Sequence, residues 1–256
     1  MKNEMKNKKK EIEKIIEDIK TVFPFKGYIE KASDFGKEIA LIIRNYLSQN
    51  AKILDFGCGP CDKTALFRRM GYKCYACDDL NDGWHEEGNN REIIKEFAKR
   101  EGISFFHIRN NEIPFDNEYF DGILILDVIE HLHYSPHKLL THLISKLRSE
   151  GYLFIGVPNA VNLRKRISVL FGRTNYVSLE KFYFSKEPWR GHVREYTLQE
   201  MIKVLRFHGM KVVYVGGPNI FMRHKIKNTY LQAIYSFVTR IFPGLSEAIL
   251  VVGQKT

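Results

Sequence analysis

The seven residues L-D-F-G-C-G-P, at positions 54–60, limit the fold more than any other part of the chain. An apolar run precedes them and a segment with helical spacing follows, so they are predicted to join a β-strand to an α-helix. Gly57 and Gly59 let the backbone turn tightly and approach a ligand, and the N-terminus of the helix offers partial positive charge. This arrangement is typical of nucleotide-binding α/β proteins.

The acidic residues of this turn indicate the kind of ligand. A dinucleotide-binding turn has a third glycine at the position of Asp62, and the carboxylates of Asp55 and Asp62 would repel a pyrophosphate. S-adenosylmethionine carries an ammonium and a sulfonium group and no phosphate, so a carboxylate at the strand end attracts it. The sequence therefore favours S-adenosylmethionine over NAD as the cofactor.

From residue 51 onward, short apolar runs alternate with segments of helical spacing, which is the pattern of a parallel α/β sheet. Helices are predicted at about 62–71, 90–101, 136–149 and 198–208. We expect a Rossmann-like α/β fold with a seven-stranded, mostly parallel sheet, helices on both faces and an antiparallel strand pair at one edge. The predicted strands are Lys52–Phe56, Tyr72–Asp78, Ile103–Ile108, Phe120–Asp127, Tyr152–Val157, Lys211–Gly216 and Ala248–Gly253.

Three segments fall outside this repeating pattern. Residues 1–50 are predicted to form an N-terminal helical cap, and residues 51–256 to form the α/β domain. Within that domain, residues 159–196 and 219–245 are predicted insertions, rich in basic, aromatic and apolar side chains.

Composition places few limits on the function. The formal net charge of +10 suggests an anionic partner, although a lysine-rich surface is equally typical of heat-adapted proteins. The N-terminal residues lack the apolar core of a secretory signal, and no uncharged stretch is long enough to span a bilayer. A cytoplasmic location is therefore predicted.

The four cysteines form two C-x-x-C pairs, a spacing that zinc sites and redox-active sites share. Cys74 and Cys77 lie in a predicted strand, where residues three apart point to opposite faces and cannot bind one metal ion. We therefore expect these two, and Cys58 and Cys61 in the turn, to be small buried side chains.

A second acid follows the next predicted strand. A carboxylate at Asp78 could accept hydrogen bonds from both ribose hydroxyls of an adenosine. The neighbouring Asp79 could serve instead, and an acid that only caps the following turn is the structural alternative.

The motifs LDFGCGP, CDD and IPFDNEYFDGILILDVIEHL together resemble class I S-adenosylmethionine-dependent methyltransferases, specifically type 11/12-like enzymes similar to the ubiquinone O-methyltransferases. The likeness covers about residues 51–158, with a weaker match in GHVREYT. It implies that Asp55 and Gly57 hold the methionine end of the cofactor and that Asp78 holds the ribose. The residues expected to contact the cofactor are Asp55, Phe56, Gly57, Cys58, Gly59, Asp78, Asp79, Asn110 and Asp127.

Two positions depart from the family pattern. Cys61 stands where the family has the third glycine of its turn. The acid that often follows the third strand, and contacts the adenine amine, is replaced by Arg109-Asn110-Asn111. Of these, Asn110 would meet the adenine through its amide carbonyl.

The candidate catalytic residues follow the fourth predicted strand or lie in the first insertion. Asp127, Glu130 and His131 have spacings that place them on one side of a helical turn. Some of the resembling O-methyltransferases hold a divalent metal with such residues, so His131 is a candidate base or metal ligand; alternatively, Glu130 and His131 only orient the loop. His192 is the other candidate base, because a near-neutral pKa suits proton removal from a hydroxyl. In the alternative interpretation, His192 lies in a surface loop and Thr197 caps the next helix.

Oxygen is the predicted acceptor atom. Methyltransferases that act on base or amide nitrogen often carry an Asn/Asp-Pro-Pro-aromatic run after the fourth strand, where this chain has DVIEHL. The leading prediction is O-methylation of a small-molecule, glycan or lipid-linked acceptor. A tRNA or rRNA methyltransferase and a non-catalytic cofactor-binding module are the alternatives, and nucleic acid is disfavoured because no RNA-binding domain is appended.

Two basic segments, at 162–173 and 223–242, contain apolar residues at helical spacing. Such helices either lie on an anionic membrane or pack their apolar face on the sheet or on a second subunit, and packing is the favoured interpretation. The first case predicts peripheral membrane contact, and the second allows a homodimer. The apolar residues of the second segment are Tyr230, Leu231, Ile234, Phe237, Val238 and Ile241.

Overall fold

Seven strands form one sheet, in the order β3-β2-β1-β4-β5-β7-β6. β4 lies at its centre, and six of its seven residues are buried, as expected for a strand covered on both faces. The strands β1 to β7 are Lys52–Phe56, Lys73–Asp78, Ser104–His107, Phe120–Leu126, Leu147–Pro158, Lys211–Gly216 and Ala248–Gln254.

This computed structural model describes residues 2–108, 113–218 and 228–256, and the side chains of 2–5 and 30–33 are outside the description. In the described part, β1 pairs parallel with β2 and β2 with β3, whereas β6 and β7 pair antiparallel. The predicted seven-stranded, mostly parallel sheet with an antiparallel edge pair is confirmed.

Helices fill the connections between the strands. The α-helices of the described residues, α1 to α10, are Lys2–Val22, Lys26–Ile43, Asp62–Arg69, Gly83–Glu86, Asn90–Arg100, His137–Lys146, Leu163–Leu170, Leu179–Tyr183, Leu198–Phe207 and Thr229–Ile241. Short 3₁₀ turns occur at Ile129–His131 and Pro243–Leu245.

The chain divides into two compact units, described separately below. The first consists of Met1–Leu124 and His142–Leu153, and the second of Ile125–Thr141 and Phe154–Thr256. In the first unit, α1 and α2 contact each other and α3, and ion pairs such as Arg44 with Glu11, at 2.7 Å, join α1 to α2. These helices occupy the segment expected to be a helical cap, and the domain boundary between residues 50 and 51 stays a prediction.

In the second unit, the two ends of the first insertion lie side by side. Asn159 and Tyr196 form a parallel bridge, and the backbone N–H of Ala160 donates to the Tyr196 carbonyl over 2.9 Å. The Asn159 side chain is fully buried and donates to the carbonyls of Gly244 and Ser246. The two ends of the first insertion are therefore held together by hydrogen bonds. Part of the second insertion, residues 219–227, lies outside the described residues.

One helix is shorter than predicted. α6 ends at Lys146 and not near residue 149, because Leu147 is buried at the start of β5. The carbonyls of Ser145 and Lys146 accept backbone N–H groups from Glu118 and Tyr119, which ends the helical hydrogen bonding.

The apolar residues of α10 do not pack on the sheet, which was one of the two forms of packing expected for them; packing on a second subunit stays a prediction. Tyr230, Leu231, Ile234, Phe237 and Ile241 are between 45% and 74% exposed. The helix packs instead through the face that carries Tyr235 and Thr239, which are buried. Among the described residues, no helix is long and apolar enough to cross a membrane.

Thr197 begins α9 as a capping box, and its replacement gives a direct test of local stability. Thr197 Oγ1 accepts the Glu200 N–H, while a Glu200 carboxylate oxygen accepts the Thr197 N–H over 2.8 Å. Loss of such a cap costs about 1 kcal/mol. Thr197→Ala should lower the free energy of unfolding by that amount in urea titrations followed by circular dichroism, and Thr197→Ser should restore most of it. Equal stability of Thr197→Ala and the wild type would contradict the assignment.

Candidate functional site

The turn after β1 leaves space beside its backbone at Gly59. Gly57 and Gly59 both have positive φ, 73° and 53°, a conformation that glycine adopts without strain. The Gly57 N–H donates to the Cys77 carbonyl over 2.7 Å, which fixes the turn against the end of β2. Among the described residues, the atom that a Cβ added at Gly59 would meet within 4 Å is the Tyr28 hydroxyl oxygen, 3.9 Å away. The space over Gly59 thus admits close approach of a ligand.

Asp78 joins this turn to the end of β2. Its two carboxylate oxygens accept the backbone N–H groups of Gly59, over 2.8 Å, and Leu80, over 2.7 Å. Burial raises the pKa of Asp78, and the two backbone donors act in the opposite direction. A carboxylate has about four lone-pair positions, so these two bonds leave capacity for ribose hydroxyls. The two interpretations of Asp78, as a residue that caps the turn and as a residue that contacts a cofactor, are therefore compatible.

Two other predicted cofactor residues are Asp79 and Asn110. Asp79 is exposed, and its carboxylate accepts both the backbone and the side-chain N–H of Asn81. Asn110 lies outside the described residues. Asp78 is thus the acid in contact with the glycine turn.

Asp55 is buried beneath the turn. It is 1% exposed and accepts a short hydrogen bond from the Thr64 hydroxyl of α3. Burial raises the pKa of Asp55 to about 6; the negative charges of Asp62 and Asp78 act in the same direction, whereas the Thr64 hydrogen bond and the Lys63 charge oppose it. Three acids thus share one neighbourhood, which favours a cationic ligand.

Cys61 adopts the conformation that a glycine would have in the family pattern. Its φ is 63°, in the left-handed region, and its side chain is fully buried. The Sγ atoms of Cys58 and Cys61 lie 3.6 Å apart. Burial raises the pKa of the Cys58 thiol well above its usual range and that of Cys77 to about 12. The expectation of small buried cysteines is confirmed.

Aromatic residues beside the turn were not predicted from the sequence. Tyr28 of α2 stacks on Trp84 of α4, with ring centroids 5.6 Å apart, and Trp84 contacts His85 at 4.1 Å. His85 is 4% exposed, and within the described ranges neither ring nitrogen has a hydrogen-bond partner. Burial lowers the pKa of His85 and the Asp78 charge opposes that effect, so the two groups are electrostatically linked.

These features fit the cofactor that the sequence favours. The open backbone at Gly59 leaves space for a ligand, the clustered acids favour a cationic one, and the His85 ring has unpartnered nitrogens among the described residues. At the end of β3, the His107 ring contacts the Asp79 carbonyl at 3.0 Å, and the Ile108 N–H donates to the Asp78 carbonyl over 3.1 Å. Residues 109–112, which follow, lie outside the described part of the chain.

In the second unit, Glu130 is a buried acid on a 3₁₀ turn after β4. It is fully buried, and its backbone carbonyl accepts the N–H groups of Val193, over 2.7 Å, and Arg194. These two bonds attach the turn to the end of the first insertion. Burial, and secondly the charge of Asp127, raise the pKa of Glu130 well above its usual range.

The predicted catalytic histidines are brought together beside Glu130. The rings of His131 and His192 are 5.0 Å apart in an edge-to-face arrangement. His131 Nδ1 lies 3.0 Å from the Arg190 carbonyl, and His192 Nδ1 lies 2.8 Å from a Glu195 carboxylate oxygen. Burial lowers the pKa of His192 to about 4, with further lowering from His131 and Lys165.

Two residues that support His192 were missed in the sequence. Lys165 of α7 forms a short ion pair with the second carboxylate oxygen of Glu195, and burial lowers the Lys165 pKa to about 8. The spacing of three between His192 and Glu195 was a usable signal, whereas nothing in the sequence places Lys165 beside them. Thr197 caps α9 as expected, and the role of His192 stays a prediction.

A model of a family described as a methyltransferase domain matches residues 27–215, well over half of the chain. Among curated proteins, none matches this sequence. Solved structures share the fold. A protein from Pyrococcus horikoshii OT3 superposes with a TM-score of 0.59 at 13% identity, covering 91% of this chain and 93% of its own.

Two further solved structures have informative titles. A SAM-dependent methyltransferase from Aquifex aeolicus superposes with a TM-score of 0.55 at 15% identity, covering 94% of this chain and 98% of its own. The 1,6-didemethyltoxoflavin-N1-methyltransferase of Burkholderia thailandensis, with bound S-adenosylhomocysteine, gives 0.52 at 20% identity, covering 84% and 75%. At these identities the likeness concerns the fold.

The raised pKa of Asp55 predicts a pH-dependent stability. The folded protein keeps a proton on Asp55 up to about pH 6, whereas the unfolded chain releases it near pH 4. The stability from this proton is therefore lost as the pH rises through the folded pKa. Asp55→Asn should be more stable than the wild type near pH 8, by on the order of 1–3 kcal/mol, and little different near pH 4.

Urea titrations at the two pH values measure this difference. Asp79→Asn, at the exposed neighbouring acid, is the matched control and should show no such pH dependence. If Asp55→Asn differed from the wild type equally at both pH values, Asp55 would not be the buried titrating group.

Proposed function

The chain belongs to the methyltransferase-domain family, and we propose that it transfers the methyl group of S-adenosylmethionine to a hydroxyl oxygen of a lipid-linked acceptor. The observation that supports the donor most directly is the glycine turn with its three neighbouring acids, Asp55, Asp62 and Asp78. The location is proposed to be cytoplasmic and peripheral to the membrane.

The residues of the first unit bind and orient the donor in this proposal. S-adenosylmethionine supplies an electrophilic methyl carbon on its sulfonium group. The backbone at Gly59 approaches the donor through the open space beside it, with Gly57 in the same turn, and Asp78 accepts the ribose hydroxyls through its remaining lone pairs. His85, whose nitrogens lack partners among the described residues, is a further candidate for a ribose contact. Asp55 acts through the turn and Thr64, because it is buried.

The residues of the second unit act on the acceptor. A hydroxyl group must lose its proton as the new bond to carbon forms, and a group that withdraws the proton or lowers the hydroxyl pKa accelerates that step. Glu130, His131 and His192 form the cluster proposed for this role, with Glu195 and Lys165 as its supports. The Burkholderia enzyme acts on N1, according to its title, but at 20% identity that acceptor atom does not transfer to this chain.

An exposed apolar surface in the first insertion supports a lipid-linked acceptor. We call it the insertion surface, and its residues are Ile167, Val169, Leu170, Phe171, Tyr176, Val177, Leu179, Phe182, Tyr183 and Phe184, all between 38% and 86% exposed. So many neighbouring apolar side chains are uncommon on a protein that meets only water.

Basic side chains accompany the insertion surface. The exposed ones between residues 164 and 190 are Arg164, Arg166, Arg173, Lys181, Lys186 and Arg190. Apolar groups that enter the acyl boundary, together with cations that meet anionic headgroups, are the two requirements of a peripheral membrane site. This combination favours an anionic lipid surface over a second subunit. RNA, a soluble acceptor and a non-catalytic role are the outcomes against which the proposal is tested.

Substitution of Gly59 tests the donor site. Gly59→Ala places a methyl group where the donor would approach and should weaken S-adenosylmethionine binding at least tenfold in calorimetry. Gly209→Ala is the matched control, since Gly209 also has a positive φ, 69°, and open space around it, but lies after α9. Equal loss of affinity in both variants would mean that backbone strain, rather than donor contact, causes the effect. No binding by the wild type would refute the donor assignment.

The acceptor is tested with radiolabelled S-adenosylmethionine and a polyprenylated phenol in phospholipid vesicles. Label should enter the phenol faster in vesicles with anionic lipid than in zwitterionic vesicles. The double variant Leu170→Ser, Phe171→Ser should lose most of this preference and bind the donor as before. Phe207→Ser, at a 79% exposed aromatic residue of α9, is the matched control and should change neither rate.

Other outcomes of that assay refute the lipid-linked acceptor. Equal labelling of a soluble short-chain phenol in all vesicles would indicate a small-molecule acceptor, and labelling of RNA would indicate a nucleic-acid substrate. Donor binding without labelling of any acceptor class would favour the non-catalytic module.

A further inference from the structure

The helix α10 packs on the protein through its less apolar side. Its buried residues are Tyr235 and Thr239, and the Thr239 hydroxyl donates to the Tyr235 carbonyl over 2.8 Å. A surface helix normally turns its apolar side chains toward the core and its polar ones toward water. The large apolar side chains of α10 are instead between 45% and 74% exposed. We call them the apolar face of α10, and they are Tyr230, Leu231, Ile234, Phe237 and Ile241.

Four residues of the apolar face form one line along the helix. The spacings between Tyr230, Ile234, Phe237 and Ile241 are four, three and four positions, which brings successive side chains to the same side. The helix has 13 residues, which correspond to a length of about 20 Å. That is too short to cross the hydrocarbon core of a bilayer, which is about 30 Å thick. It suits a helix that lies in the plane of a membrane surface.

The sequence around α10 carries charges of one sign. No Asp or Glu occurs between Glu200 and Glu247, whereas seven Lys and Arg residues do. Arg240, in the last turn of α10, is one of them and is exposed. Three others with described side chains are exposed as well, namely Lys203, Arg206 and Lys211. An apolar face within a basic, acid-free segment matches the two components of an anionic lipid surface, which are acyl chains and negatively charged headgroups.

The insertion surface belongs to a neighbouring element of the same unit. The Asn159 side chain, at the start of the first insertion, donates to the Ser246 carbonyl, shortly after α10, over 2.8 Å. Burial raises the pKa of Tyr235 to about 12 and the Glu247 charge acts in the same direction, whereas the Arg164 charge opposes them. Arg164 belongs to α7, which carries part of the insertion surface. The charge of α7 therefore reaches the buried side of α10.

A second copy of the chain is the main competing occupant of the apolar face of α10. A stable dimer interface usually involves about 20–30 residues on each subunit, whereas this face consists of five side chains on one helix. In a two-fold dimer the same patch meets itself, so two acid-free basic segments would also face each other. Area and charge thus both favour a lipid surface.

We propose that α10 is a membrane-surface helix, whose apolar face enters the acyl boundary of an anionic bilayer while Arg240 meets the headgroups. This contact extends the membrane location in the proposed function, because it adds a second attachment to that of the insertion surface. Two attachments on one unit bind the same bilayer more tightly than either does alone. Binding to the bilayer does not depend on methyl transfer.

Binding is measured on the full chain by sedimentation with vesicles, with neither donor nor acceptor present. The vesicles consist of phosphatidylcholine, with or without phosphatidylglycerol, and we expect tighter binding when phosphatidylglycerol is present. The double variant Phe237→Ser, Ile241→Ser removes two side chains of the apolar face and should weaken this binding by about tenfold or more. Phe207→Ser, at an exposed aromatic residue of α9, is the matched control and should bind as the wild type does.

Substitution of Arg240 tests the contribution of charge. Arg240→Gln should weaken binding to the phosphatidylglycerol vesicles about fivefold and leave binding to phosphatidylcholine unchanged. Arg240→Lys keeps the charge and should bind as the wild type does. Circular dichroism and urea titrations should give the same result for all these variants and the wild type, because the substituted side chains are exposed.

A fluorescent label reports which side of α10 enters the bilayer. The four native cysteines are buried, so an environment-sensitive fluorophore attaches selectively to an exposed cysteine introduced by substitution. The emission of a label at Ile234→Cys should shift to the blue when anionic vesicles are added. A label at Thr229→Cys, about 140° away around the helix axis, should shift much less. Equal shifts at the two positions would contradict immersion of the apolar face.

The proposal is overturned if the wild type does not bind anionic vesicles, or if Phe237→Ser, Ile241→Ser binds them as Phe207→Ser does. A dimer of the wild type in analytical ultracentrifugation that this double variant dissociates would assign the face to a second copy instead. Vesicle binding that depends on α10, without labelling of a lipid-linked acceptor, would count against the proposed function alone. Labelling of that acceptor, with vesicle binding that the α10 substitutions leave unchanged, would count against the role of α10 alone.

Discussion

The carboxylate of Asp78 is the interaction on which the donor site depends. It accepts one N–H from the turn after β1 and another from the residue that follows β2 by two positions. Hydrogen bonds to an ionised group contribute about 1.5–3 kcal/mol each, so this one side chain holds two strand ends in a fixed relation. The turn that it fixes contains the left-handed backbone at Gly59, and the short bond between Asp55 of β1 and Thr64 of α3 joins the two elements that flank this turn. Hydrogen bonds within the chain thus fix the geometry around the glycine.

Two buried acids, Asp55 and Glu130, differ in whether a hydrogen-bond donor compensates for their burial. Asp55 and Glu130 are both almost inaccessible to water, and burial raises the pKa of both. Asp55 has the Thr64 hydroxyl as a donor, so its charge is partly compensated within the chain. Glu130 has no such donor among the described residues, although His131 and His192 lie beside it. The charge of the first acid is therefore partly compensated, and that of the second is uncompensated in the described part of the chain.

The strand pattern and the glycine turn were predictable because each depends on residues that are neighbours in sequence. Alternating apolar runs identified the seven strands, and the family resemblance drawn from LDFGCGP is confirmed by the methyltransferase-domain match. Tyr28, His85 and Lys165 could not be found in this way, since they approach the sites through tertiary packing. The exposure of the apolar face of α10 could not be predicted either. Helical spacing shows that a helix has an apolar side, but it does not show what packs against that side. The roles assigned to individual site residues remain predictions.

The bridge between Asn159 and Tyr196 has a consequence for how proteins of this fold diversify. Because the first insertion begins and ends at paired residues, the residues between them can lengthen, shorten or change character while its two ends stay paired. The cost of closing a loop rises only slowly with its length. Selection can therefore act on this insertion, with its exposed apolar side chains and with His192 and Glu195 near its end, as a separable module. Under the proposed function, a change of acceptor would require changes within residues 160–195 and none in the glycine turn.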